Sequence, residues 1–158
     1  MWLMLCVITG GGGAVISALI KENHNEKEKC SVLEERAAKN AAVIKTFDLW
    51  MQWKQKNKSV STFCERNCFQ EVAIYGMHYL GERLLDELEG TSVSVKYAID
   101  KNIGNRSVSV KVVTPDEDLE KVDAIIVTPV FYFDEIERQL VPKVNCPVIS
   151  LEDVIKYS

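Results

Sequence analysis

The sequence predicts an α/β protein: a doubly wound parallel sheet of five strands, ordered 3-2-1-4-5, preceded by an apolar N-terminal helix and a long amphipathic helix. Three observations carry this expectation. From Val72 onward, short apolar runs alternate with amphipathic stretches, the signature of repeated strand–helix units. Val72-Ala73-Ile74-Tyr75 runs into Gly76, Gly81 follows five positions on, and a helical pattern opens there, as a strand–turn–helix unit requires. Ala124-Ile125-Ile126-Val127 is a continuous apolar run, which suits a strand buried on both faces of a parallel sheet.

The chain begins with residues 1–20, MWLMLCVITGGGGAVISALI, which contain no charged side chain. Roughly twenty apolar residues suffice to span a bilayer as a helix. Gly10 to Gly13 lower helix propensity, although membrane helices tolerate glycine. A secretory signal is disfavoured by the missing basic start and cleavage site. A phosphate-binding loop is disfavoured by the missing Gly-Lys-Ser/Thr ending. The expectation is a single-pass membrane anchor over 1–20. Lys21, Lys27 and Lys29 follow it and favour a cytoplasmic location for the remainder.

A charged linker and an amphipathic helix are expected over 21–58, and an α/β domain over 59–158. Leu33, Ala37, Asn40, Ile44, Phe47 and Met51 alternate spacings of four and three, a coiled-coil seam that Val43, Trp50 and Trp53 widen on one flank. Two outcomes stay open at this point. The 31–56 helix packs on its own domain, or it joins a second copy as a homodimer.

Ser59 or Ser61 caps a short helix ending near Asn67. The first strand is Val72–Tyr75, and the helix after it buries Gly81, Leu84, Leu85 and Leu88, with Glu82, Arg83, Asp86, Glu87 and Glu89 facing solvent. Val93–Ile99 and Val108–Val113 are the next strands. Thr114-Pro115-Asp116-Glu117 carries an N-cap threonine, a proline at the first position and a capping-box glutamate, so a helix is expected there. Asp123–Pro129 is the fourth strand, Phe131–Leu140 a helix, Pro147–Ile149 the fifth strand, and Ser150 opens a last short helix.

Composition narrows the chemistry. A net charge of −4 leaves no basic footprint, so nucleic acid is not an expected partner. The five cysteines include no CxxC pair, and His24 and His78 sit at no zinc spacing, so no metal site is expected. In a doubly wound sheet, ligands lie beyond the carboxyl ends of the strands, where the strand order reverses. The candidate binding residues there are Gly76, Met77, His78, Tyr79, Leu80 and Gly81 after the first strand, Asp100 after the second, and Thr128 and Pro129 after the fourth. Asp100 either accepts from a ribose hydroxyl or starts the turn of Asp-Lys-Asn. Tyr79 and Tyr132 are placed to stack on a base or to pack against loops. His78 stands where a dinucleotide fingerprint has its middle glycine; it contacts a ligand, exchanges protons, or has no chemical role. No catalytic constellation accompanies these residues.

Laid out in order, VAIYGMHYLGERLLDEL, YAIDKN, VVTPDEDL, DAIIVTP and PVISLEDVI resemble the Rossmann-like domains of bacterial surface-polysaccharide enzymes. These are the N-terminal domain of sugar O-acyltransferases and the domain preceding membrane-linked nucleotide-sugar dehydratases. The resemblance covers about residues 70–155 and rests on Gly76, Gly81 and Asp100. It implies a nucleotide, a nucleotide-sugar or NAD(P) as ligand, with His78 weighing against the dinucleotide. It also implies an accessory or sensor role in cell-envelope glycan synthesis. The hexapeptide repeats and the dehydratase domain of those enzymes are absent. The alternatives are a non-catalytic interaction or dimerisation module with a vestigial site, and a small enzyme using His78.

Overall fold

The computed structural model describes residues 8–102 and 109–157, with side chains from Ile20 onward. The chain divides into two compact units, Met1–Ala41 and Ala42–Ser158. One helix, α1 (Ile8–Gln55), crosses the boundary without a break. The run Lys21–Lys29, expected as linker, is helical and solvent-exposed. Its glutamates and lysines are good helix formers, and the polar side chains keep it in water. Further along, Lys39 and Glu35 pair at 2.7 Å across one turn.

This geometry corrects the expected membrane anchor. Among the described residues, no helix is long and apolar enough to cross a membrane. The described apolar part of α1, from Ile8 to Ile20, is about 20 Å long at 1.5 Å per residue, against a hydrocarbon core of roughly 30 Å. Beyond Ile20 the same helix carries Lys21 and Glu22. The first seven residues of the expected span lie outside the described residues. The single-pass topology with a cytoplasmic domain is therefore withdrawn.

The second unit begins with the last turns of α1. Trp50 and Trp53 are buried, and Val43, Phe47 and Leu49 pack beside them. These are mainly the flank residues of the predicted stripe. Leu33, Ile44 and Met51, from its seam, are exposed. Helix α2 (Val60–Arg66) follows, with the Ser59 hydroxyl accepting from Thr62 N–H at 3.2 Å as its N-cap. Cys64 is buried on α2, where desolvation pushes its thiol up to about 11. Cys68 falls beyond the helix end at φ 60°, exposed, so the two cysteines share no helix face.

The sheet is all parallel, in the order β3-β2-β1-β4-β5, as the sequence predicts. Its strands are β1 (Glu71–Tyr75), β2 (Ser94–Ile99), β3 (Val112–Val113), β4 (Ala124–Val127) and β5 (Val148–Ser150). The start of the strand expected over 108–113 touches residues outside the described ones. Alternation along β1 divides the core in two. Val72 and Ile74 join Ala98, Ala124 and Ile126 on the face covered by α1, α2, α3 (Tyr79–Leu88) and α5 (Leu151–Lys156). Ala73 and Tyr75 join Tyr97, Ile99, Ile125 and Val127 on the other face, covered by Ile136 and Leu140 of α4 (Phe133–Leu140).

Two local expectations are overturned. Residues 114–122 form a turn and coil, not a helix. Half of the capping box forms: Glu117 Oε1 accepts from Thr114 N–H at 2.7 Å, while the Thr114 hydroxyl donates to the same oxygen at 3.0 Å and the Glu117 N–H donates to Thr114 O at 3.2 Å. Leu119 and Val122 are then drawn into the core under α4, and β4 starts at Ala124, so the nucleated turn is not extended. Glu87, expected in solvent, instead joins three segments. Its carboxylate accepts from Trp50 Nε1–H at 2.9 Å and Val60 N–H at 2.8 Å, and pairs with Lys54 at 3.3 Å.

The strand entrances are joined by Asp123, whose Oδ2 accepts the N–H groups of Gln70 and Glu71, each at 2.8 Å. These bonds, from Glu71 first and Gln70 second, hold its carboxyl below the usual carboxylate range. A lowered folded value contributes stability that is present above the unfolded pKa of about 3.9 and lost as pH falls through the folded value. Asp123→Asn is accordingly expected to be less stable than wild type at pH 7, with the gap closing below about pH 4. Urea unfolding at pH 7 and pH 3 checks this; an unchanged gap contradicts it.

Candidate functional site

The carboxyl ends of β1, β2 and β4 meet where the strand order reverses, between β1 and β4. Local backbone chemistry builds this lip. β1 ends in Tyr75, and Gly76 takes φ +89°, a conformation side chains rarely adopt. Gly76 N–H donates to Ile99 O at 2.7 Å, and its carbonyl accepts from the buried Thr128 hydroxyl at 2.7 Å. Thr128 also donates that hydroxyl to Tyr75 O at 3.1 Å, so one side chain pins the turn to β4. Gly81 lies directly under the turn. A Cβ there would stand 2.0 Å from Gly76 O, so this glycine brings α3 into contact with the strand end.

A cleft of about 310 Å³ opens at this lip on the α4 side of the sheet. Tyr75, Asp100, Pro129, Tyr132 and Glu135 are among its walls, with Lys101 as the cation among the described residues. Asp100 is committed in part to structure. Its Oδ2 accepts Met77 N–H at 2.8 Å and its Oδ1 accepts Asn102 N–H at 2.9 Å. The aspartate thus closes the turn of Asp-Lys-Asn and still faces the cleft.

The decisive group is the Tyr75 hydroxyl. Tyr75 is only 4% exposed, and its Oη has no hydrogen-bond partner among the described residues. A buried hydroxyl without a partner costs on the order of 1–3 kcal/mol. Tyr97, on the same sheet face, shows the ordinary solution: its hydroxyl donates to Glu120 O at 2.7 Å. Burial and then the carboxylates of Asp100, Glu135 and Asp116 raise the Tyr75 pKa, so the hydroxyl keeps its proton as a donor. Trp53 Nε1 is the other buried side-chain atom without a partner among the described residues, and it lies within the helix-covered core.

The sequence-predicted site residues separate into three groups. Gly76, Asp100 and Pro129 line the cleft. Met77, Leu80, Gly81 and Thr128 are buried and shape the turn or the core behind it. His78 and Tyr79 are exposed and lie ring edge to face at 4.1 Å, with His78 at the N-cap of α3 making no side-chain cap bond. His78 has φ −105°, open to any residue, so the backbone requires no glycine at this position.

Sequence reasoning did not name Tyr75, Lys101, Asn102, Glu135 and Ile136 as site residues, and left Tyr132, at the end of the lip, between stacking on a base and packing against loops. A signal existed for Tyr75. Two-residue alternation sets it opposite Ile74 at the end of a buried strand, where a tyrosine hydroxyl needs a partner. Comparison with known proteins finds no matching family, no similar curated protein and no similar solved structure.

Proposed function

We propose that this chain is a Rossmann-like binding module that holds a nucleotide or nucleotide-sugar in the cleft between β1 and β4. The observation that carries the reading is the Tyr75 hydroxyl, buried and without a hydrogen bond among the described residues, in a cleft that Asp100 and Glu135 also line. A ligand hydroxyl or carbonyl accepting from Tyr75 would satisfy it, and sugar hydroxyls would donate to the neighbouring carboxylates. The position at the reversal of strand order supports the same reading, since open α/β sheets bind ligands there. The resemblance to surface-polysaccharide enzyme domains supports a nucleotide-sugar and an accessory or sensor role in glycan synthesis.

The test is thermal unfolding of the full chain with NAD(H), NADP(H), nucleoside diphosphates and nucleotide-sugars at millimolar concentration. At least one is expected to raise Tm, because a ligand at 100 times its Kd adds about 2.7 kcal/mol to the folded state. An unchanged Tm across the panel overturns the reading.

A further inference from the structure

We infer that the cleft recognises the hydroxyl-bearing part of its ligand, the ribose or sugar ring, and provides no seat for a phosphate at the glycine turn. The inference rests on the binding function proposed above and names the part of the ligand that is held.

The glycine turn of a strand–turn–helix unit usually presents backbone N–H groups to an anion. In this chain an N–H of that turn already has an anion, and it belongs to the protein: Met77 N–H donates to Asp100 Oδ2 at 2.8 Å. A phosphate approaching Met77 meets the Asp100 carboxylate first. The charges around the cleft act in the same direction. Asp100 and Glu135 line it, and Asp116 lies near enough to act on the Tyr75 hydroxyl. Among the described residues Lys101 is the cation on the wall, and Lys143, beside the neighbouring Asp116, donates to Pro115 O at 2.7 Å and pairs with Asp116 at 3.4 Å. His78, the residue best suited to meet a phosphate from the turn, is exposed and rests edge-on against Tyr79.

What the cleft does offer is one buried hydroxyl donor beside carboxylate acceptors, with the Tyr132 side chain on its wall. That set matches vicinal hydroxyls, which donate to carboxylates and accept from a phenol. A phosphate, which has only acceptors near neutral pH, would find the phenol and Lys101 as donors among the described residues, against the two carboxylates of Asp100 and Glu135.

Titration calorimetry of the full chain with adenosine, uridine, ADP and UDP tests this at low and high salt. Each nucleoside is expected to bind at least threefold more tightly than its diphosphate at low salt, with the ratio moving toward one as salt screens the repulsion. Asp100→Asn keeps a carbonyl oxygen for Met77 N–H and removes the charge, so diphosphate affinity should rise at least threefold. A diphosphate that binds wild type more tightly than its nucleoside overturns the inference and leaves the binding function standing. Binding by none of the four, together with none by the nucleotide-sugars, overturns both.

Discussion

Gly81→Ala is expected to destabilise the protein by roughly 3 kcal/mol, lowering Tm by on the order of 10 °C. The added methyl would stand 2.0 Å from Gly76 O and 3.0 Å from Gly76 C, both backbone atoms. Neither can yield easily. Gly76 N–H is bonded to Ile99 and its carbonyl to Thr128, so the turn is held from both neighbouring strands. Helix α3 must then withdraw by more than an ångström, loosening Leu84 and Leu88 against the sheet. Alanine's helix propensity returns about 1 kcal/mol, which does not offset the lost packing. Gly90→Ala provides the contrast: its φ of +73° imposes strain of about 1 kcal/mol, but nothing lies within 4 Å of its added methyl. Chemical denaturation of both variants checks the ranking. A Gly81→Ala protein as stable as Gly90→Ala would contradict the packing described at the turn.

Glu87→Ala is expected to cost about 2–4 kcal/mol. The loss strands the Val60 N–H at the start of α2 and the Trp50 indole N–H, both on buried residues. Lys54 is about half exposed, so its attraction to Glu87 is screened and adds little. Glu87→Gln keeps an acceptor oxygen but turns an amide toward a donor, so about half the cost should remain. The last turns of α1 are bound to α3 through this carboxylate, and tryptophan fluorescence should report their loosening before the sheet unfolds. A Glu87→Ala variant within 0.5 kcal/mol of wild type would show that the carboxylate holds nothing together.

The sheet was legible because its signals are local and agree with one another. Val72–Tyr75, the spacing from Gly76 to Gly81 and the apolar run of β4 each specify one unit of the same topology. Failures came where a distant segment decides the outcome. Glu117 makes its capping bond to Thr114 N–H, yet Leu119 and Val122 are needed in the core and the helix stops before it begins. Glu87 reads as solvent-facing from the period of α3 alone; the last turns of α1 lie alongside and make it a partly buried acceptor. The charged run after Ile20 reads as linker, but its Glu/Lys composition is also good helix sequence.

The site was legible only in its frame. Gly76, Asp100 and Pro129 follow from the fold, because the strand ends place them. Glu135 and Ile136 reach the cleft from α4, through a helix packing that no motif encodes. Tyr75 escaped notice because an aromatic at the end of a strand looks like core, and its ring is core. Only its oxygen marks the site.

That oxygen supplies the most direct test. Tyr75→Phe removes a buried hydroxyl that makes no hydrogen bond among the described residues, so the variant should be as stable as wild type or up to about 1 kcal/mol more stable. The same variant should lose at least tenfold in affinity for whichever nucleoside or nucleotide-sugar stabilises the wild-type chain, because the ligand's bond to the phenol is gone. Calorimetric titration of both proteins with that compound measures it. Unchanged stability with tenfold weaker binding is the predicted result; binding equal to wild type would contradict the assignment of the cleft between β1 and β4 as the ligand site.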